Sequence, residues 1–191
     1  MTTATRSLTV ICCAAGPASH VGALVTLAQQ RGWRVQLVAT PAAVAFLDIP
    51  ALEAQTSQPV RSQYRAPGEP HSRPADAIIV APATYNTINK WAQGISDTYA
   101  LGLLAEATGM GIPTVVLPFV NTALAARAPF RRSVDELRRE GVQILLGPGG
   151  VEPHPPRSGS DLTGAFAWRL GIDQVELLTD KAEEAPHARP T

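Results

Sequence analysis

Four polar clusters in this 191-residue chain each come directly after an apolar run, and they hold the side chains best suited to chemistry. In the richest, Thr84, Asn86 and Thr87 supply donors and acceptors directly after residues 77–81, AIIVA, which Pro82 ends. A helix starting near Ile88 points its first free N–H groups back at this cluster, and such starts attract anions. Gly16-Pro17-Ala18-Ser19 follows residues 8–15, where Gly16 lets the backbone come close to a phosphate and Ser19 adds a hydroxyl. Thr40 follows residues 34–39, and Asn121 follows residues 112–118. Each has a bland alternative: a turn for Gly16, a helix cap for Thr40, a turn-forming side chain for Asn121. Taken together, hydroxyls at three run ends point to a phosphorylated ligand.

These clusters need elements to position them. Residues 8–15 read as a strand, 16–19 as a turn and 21–31 as a helix stopped by Gly32, before a second strand at 34–39. Thr40-Pro41 places proline at the first helical position, so 42–47 is expected to be helical. Residues 50–74, rich in Pro, Ser, Gln and Arg, read as a long connection without regular structure. Further strands are expected at 77–81, 112–118 and 142–146, with an amphipathic helix over 129–140 stopped by Gly141. Residues 147–160, dense in glycine and proline, suit a flap; 162–170 suit a closing helix; beyond Thr179 disorder is expected. The alternation predicts an α/β fold: a single domain over residues 1–178 with a three-layer, doubly wound parallel sheet, and a disordered tail over 179–191. Such a sheet binds ligands outside the carboxyl ends of its strands, where Gly16, Thr40, Thr84 and Asn121 all fall.

Composition narrows the function. Sixteen basic and sixteen acidic residues balance, which disfavours a role resting on charge attraction to nucleic acid or an anionic membrane. Residues 8–15 are too few to span a bilayer. The two cysteines, Cys12 and Cys13, are neighbours that point to opposite faces of a strand and form no disulfide framework, which fits a reducing cytoplasm. Histidines and cysteines show no ligand spacing, so no metal site is expected. His20 begins the first helix, and His154 reads as filler in a proline-rich loop. Trp91 and Trp168 fall in apolar helical patterns, and the basic run 127–139 reads as a solvated helix face.

The run Ala81-Pro82-Ala83-Thr84-Tyr85-Asn86-Thr87, with Asn89-Lys90 and Gly94-Ile95-Ser96-Asp97-Thr98 behind it, resembles the PASANT block of the homo-oligomeric flavin-containing cysteine decarboxylases. Pro118-Phe119-Val120-Asn121 resembles that family's PxMN element, with Val120 for methionine and Leu124-Ala125 for the usual Met-Trp. The resemblance covers about residues 8–146 and implies a Rossmann-like flavoprotein that binds FMN. It assigns cofactor contacts to Gly16, Ser19, Thr40, Ala83, Thr84, Asn86, Thr87, Asp97 and Thr98. Tyr85 replaces the family's alanine, beside the flavin ring, at a narrowed substrate entrance or in packing, and Asp97 serves the cofactor, a structural cap or an intersubunit contact. Asn121 takes the position that orients the substrate cysteine, and His71, between Pro70 and Pro74, is the candidate base toward its thiol or else a solvated loop residue.

The resemblance also implies the reaction. Oxidising the carbon that bears sulfur creates the electron sink that loss of the carboxylate requires. Family members of coenzyme A synthesis then reduce the enethiol with help from a flap cysteine, and residues 147–160 contain none. A peptidyl-cysteine decarboxylase is therefore expected, one that acts on the C-terminal cysteine of a precursor peptide and releases the enethiol from which an aminovinyl-cysteine ring forms. A phosphopantothenoylcysteine decarboxylase, a flavin prenyltransferase and a non-catalytic flavin-binding regulatory subunit are the alternatives. The family assembles as trimers, often stacked into dodecamers, so a homo-oligomer is expected.

Overall fold

Five short apolar runs pair into one parallel sheet in the computed structural model, which describes residues 6–65, 68, 74–159 and 164–184. The strands are β1 (Ser7–Cys12), β2 (Arg34–Ala39), β3 (Ala77–Ala83), β4 (Thr114–Pro118) and β5 (Gln143–Ile144), in the order β2-β1-β3-β4-β5. Register is continuous from Ser7 opposite Arg34 to Cys12 opposite Ala39, and Leu8 to Ile11 face Ala77 to Val80 on the other side. Every residue of β1, β3 and β4 is buried, as expected for parallel strands covered on both faces.

The pleat divides the core in two. Leu8, Val10, Cys12, Val35 and Leu37 pack with α1 (Gly22–Gln30) and α7 (Trp168–Glu184). Ile11, Cys13, Ile78, Val80 and Val116 pack with α3 (Tyr85–Ala92), α4 (Tyr99–Gly109) and α6 (Ala128–Arg139). Cys12 and Cys13 thus face opposite layers, and burial pushes both thiols above their ordinary pKa. In α6, Phe130, Ser133, Val134 and Leu137 recur at helical spacing on the buried face while Arg131, Arg132, Arg138 and Arg139 remain exposed. Burying Leu137 alone is worth about 1.5–3 kcal/mol of transfer energy. Trp91 and Trp168 are core residues; the Trp91 indole N–H donates to Thr108 Oγ1 at 3.1 Å.

Several boundaries differ from the sequence expectation. Within residues 50–74, α2 (Ile49–Thr56) forms because Asp48 accepts the Ala51 N–H at 3.2 Å, Pro50 sits in the first turn, and Leu52 and Thr56 are buried. Residues 42–47 form no α-helix; Pro41–Phe46 is a 3₁₀ segment, as is Gly16–His20. The helix after β3 starts at Tyr85, not Ile88, since Thr84 caps it. The closing helix is Trp168–Glu184 rather than 162–170: Trp168, Ile172, Val175 and Thr179 make one buried stripe, and the Thr179 hydroxyl donates to the Val175 carbonyl. That helix carries regular structure past Thr179 into the span expected to be disordered; residues 185–191 lie outside the described residues.

β1 lies between β2 and β3, so the chain leaves it first to one side and then to the other. The reversal opens a crevice at the carboxyl ends of β1 and β3.

Candidate functional site

Backbone bonds align the strand ends around that crevice. The Thr40 N–H donates to the Cys12 carbonyl at 2.9 Å, the Cys13 N–H to Pro82 at 3.1 Å, and the Phe119 N–H to Ala83 at 2.8 Å. The segments beyond the strands therefore emerge side by side: Ala14 to Gly16 after β1, Thr40 to Ala42 after β2, Thr84 to Thr87 after β3 and Phe119 after β4. These segments, with Lys90, Asp97, Thr98, Leu101 and Leu124, enclose a cavity of about 610 Å³. That lies within the range of roughly 300–1,000 Å³ typical of small-molecule sites.

Thr84 is the N-cap of α3: its hydroxyl accepts the Thr87 N–H at 3.3 Å and lies 3.0 Å from the Thr87 hydroxyl. Asn86, in the first turn of α3, is exposed and lines the cavity. Below, the buried Cys13 thiol faces Thr87 and Thr84, whose hydrogen bonds partly offset the upward push of burial on its pKa. Thr40 behaves differently. Although it precedes a 3₁₀ segment, its side chain makes no capping bond, so the hydroxyl of a cavity-lining residue is left for something else.

The far wall comes from the turn between α3 and α4. Lys90 Nζ contacts Asp97 Oδ2 at 2.5 Å across that turn, and Thr98 caps α4 by accepting the Leu101 N–H at 3.3 Å. Asn89 secures the helix from behind; its amide donates to the Tyr85 carbonyl at 2.8 Å and its Oδ1 accepts the buried Ser133 hydroxyl at 2.8 Å. Tyr85 both lines the cavity and stacks on Phe130, with ring centroids 5.4 Å apart and planes 18° from parallel. Tyr85 thus takes the packing role and also presents an edge of its ring to the cavity.

Asn121 stands just outside this lining, as the N-cap of α5 (Thr122–Ala125). Its Oδ1 accepts the Leu124 N–H at 2.9 Å, and among the described residues no group bonds its Nδ2. The flap closes against it: the His154 N–H donates to Val120 at 3.2 Å and the Thr122 N–H donates to His154 at 2.8 Å, so His154 pairs in parallel with Asn121. The His154 ring packs on Phe119 at 4.7 Å, and Phe119 packs on Phe166 at 5.9 Å.

Of the residues expected from sequence, Gly16, Thr40, Thr84, Asn86, Thr87, Asp97 and Thr98 share one cavity. Ser19 does not line it, being exposed on the 3₁₀ segment, and Ala83 is wholly buried in β3. His71 lies outside the described residues. Lys90 and Leu101 join the lining without having been expected there, and Lys90 pairs with Asp97 across a glycine turn. His154, expected to be loop filler, is instead paired with Asn121.

Comparison with known proteins bears on the family and the fold. The flavoprotein family model matches residues 2–159. The coenzyme A biosynthesis bifunctional protein CoaBC of Mycobacterium bovis is 28% identical over 155 residues, covering 78% of this chain and 34% of that protein. The chain therefore spans about a third of the length of that curated relative. The crystal structure of the FMN-dependent cysteine decarboxylase SpaF superposes with a TM-score of 0.65 at 25% identity, over 89% of this chain and 97% of that one. A mutant PPC decarboxylase gives a TM-score of 0.71 at 20% identity over 92% and 99%, a likeness of fold.

Proposed function

This chain belongs to the flavoprotein family, and from that premise we propose that it is a homo-oligomeric flavin-containing cysteine decarboxylase that binds FMN and oxidatively decarboxylates the C-terminal cysteine of a peptide, releasing an enethiol. The residues present suit the cofactor. Gly16, the unengaged Thr40 hydroxyl and the α3 start at Thr84 offer backbone and hydroxyl donors for a phosphate, while Tyr85, Leu101, Phe119 and Leu124 offer an apolar wall for a ring system. When bound, FMN supplies the two-electron oxidation that makes loss of the carboxylate possible.

The protein's own part is placement. Asn121 is held by its Oδ1 to the start of α5, which aims the free Nδ2 donors in a fixed direction, ready for the carboxylate or amide of the substrate cysteine. Phe119 beside it excludes water from the same end of the cavity. The thiol needs a proton acceptor, the role proposed for His71. Self-association, as a trimer or a dodecamer of trimers, belongs to the same reading.

The observation that favours a peptide over phosphopantothenoylcysteine is the flap. Residues 147–160 carry no cysteine, and both cysteines of the chain are buried in or beside β1, so no thiol stands ready to return a proton to the enethiol. The match to CoaBC supports the second reading, decarboxylation of phosphopantothenoylcysteine.

Incubating FMN-loaded protein with a Cys-terminated peptide and, separately, with phosphopantothenoylcysteine decides between them. The peptide should lose the mass of carbon dioxide plus two hydrogens. Turnover of the small molecule alone overturns the peptide reading; FMN binding without turnover of either marks a regulatory subunit; and a preparation that stays colourless with added FMN overturns the cofactor. Unchanged turnover by His71→Ala removes that residue from the mechanism.

A further inference from the structure

Away from the crevice, the sheet carries a buried hydroxyl that nothing in the fold employs. Thr9 stands in β1 two residues before Ile11, so its side chain projects to the same face, toward the layer of α4. It is 5% exposed, and among the described residues no group bonds its hydroxyl. Buried polar groups are ordinarily hydrogen-bonded, and an exception calls for a partner. Thr9 lines a cavity of about 730 Å³ between that face of the sheet and α4, a size within the range of roughly 300–1,000 Å³ for small-molecule sites.

The neighbouring strand dictates what kind of ligand end belongs there. Gln36 is the register partner of Thr9 and lines the same cavity, with the two strands about 4.8 Å apart. Its Nε2 donates to the Pro59 carbonyl at 2.7 Å and to the Leu37 carbonyl at 3.1 Å, which orients the amide and occupies both of its hydrogens. What remains is Oε1, an acceptor to which no group among the described residues donates. A ligand O–H answers both strands at once, donating to Gln36 Oε1 and accepting from the Thr9 hydroxyl. A carboxylate or phosphate dianion has no hydrogen to give and leaves the Gln36 acceptor unmet.

Above this polar pair the lining turns apolar and aromatic. Val38, Ile78, Leu103, Ala107 and Ile112 form the walls, and the exposed Tyr64 and Met110 mark the mouth. Tyr64 meets Tyr99 edge to face at 5.4 Å, and such rings, like a thioether, favour an aromatic guest. Arg65 and Glu106 contribute one charge of each sign to the lining, so no net charge selects an ion.

We infer that this cavity is a second ligand site, for a neutral small molecule bearing an aromatic hydroxyl. The O–H reaches Gln36 and Thr9 at the sheet, and the ring lies against Ile78 and Leu103. The inference goes beyond the function proposed above and does not rest on it.

The test is a titration of the full chain, in saturating FMN, with β-naphthol as the probe and methyl NMR as the readout. Methyls of Ile78, Leu103 and Met110 should shift, and those of Leu124 in the smaller cavity should not. Naphthol should bind at least about tenfold more tightly than its methyl ether, which keeps the rings but has no hydrogen to donate. Thr9→Val removes the hydroxyl at nearly constant shape and should weaken naphthol roughly fivefold. Gly102→Leu, which sends a side chain from α4 into the cavity, should abolish the shifts, and with the ether comparison it decides the matter even if Thr9→Val does not fold. Equal affinity for naphthol and its ether overturns the inference, as does undiminished binding by Thr9→Val or Gly102→Leu. Unmoved Ile78 and Leu103 methyls at about 1 mM probe also overturn it, the result expected if a second copy of the chain covers this face.

Discussion

Two cavities of similar size differ in what lines them. The larger, about 730 Å³, lies along the β1–β2–β3 face under Tyr64, Tyr99 and Met110, and apart from Thr9 and Gln36 its strand residues are apolar. The smaller, about 610 Å³, sits at the carboxyl ends of the strands and gathers Thr40, Thr84, Asn86, Thr87 and Thr98. In the larger cavity Thr9 is buried within β1, and Gln36 is occupied with the Pro59 and Leu37 carbonyls at 2.7 and 3.1 Å. In the smaller, the Thr40 hydroxyl makes no capping bond and α3 begins at the wall. Volume therefore does not separate the two cavities; free donors at the sheet's switch point do.

The contrast can be broken in order of expected effect. Gly150→Ala should act most strongly, at the base of the flap: its added Cβ would sit 2.6 Å from the Leu145 carbonyl carbon, a backbone atom that cannot swing away. A loss of about 1–3 kcal/mol in denaturant unfolding is expected. An unchanged midpoint would show that the flap turn relaxes freely. Thr84→Ala comes next. Loss of the cap costs about 1 kcal/mol, and FMN affinity should drop roughly tenfold, as for losing one hydrogen bond to a charged group. Full affinity in a flavin titration would place the phosphate elsewhere.

The buried thiols give a milder, pH-dependent effect. Cys12 and Cys13 have folded pKa values raised mainly by burial. The folded state therefore holds those protons where the unfolded chain has begun to lose them. Their contribution to stability is full below about pH 9 and declines above it, so a melt series from pH 7 to 10 should show a falling midpoint that Cys12→Ala and Cys13→Ala reduce. A flat series would count against desolvation. Smallest of all is Gly102→Ala in the larger cavity. The new Cβ meets the Tyr64 hydroxyl at 2.3 Å, the far end of an exposed side chain that can turn outward. FMN affinity should stay within about twofold; a larger change would join the two cavities into one functional unit.

Local sequence reveals much of this because parallel strands leave a plain mark. The all-apolar runs of β1, β3 and β4 are visible in it, and so are the polar residues immediately beyond them, which the topology must bring to one edge. Elements that depend on distant partners are less visible. The helix Ile49–Thr56 is short, buries only Leu52 and Thr56, and is read only through Asp48 and Pro50 at its start. The Trp168–Glu184 helix is polar over most of its length, and its buried stripe makes sense only against β3 and β4. In the site, position alone singles out Thr40 and Thr84, but that one caps and the other does not depends on whether an α-helix comes next. The backbone pairing of His154 with Asn121 is not read from sequence, because a bridge between a flap and a strand end 33 residues earlier leaves no periodic trace.

Lys90 is the single cation among the described residues that line the smaller cavity, and Asp97 already answers it. A phosphate entering there meets oriented peptide and hydroxyl dipoles rather than an unbalanced field. Dipoles act over a few ångströms and are little affected by dissolved ions, so uptake of an anionic ligand should be nearly indifferent to ionic strength. A cell holding this protein would then load it equally well through large swings in salt, with fit rather than attraction at a distance deciding what enters.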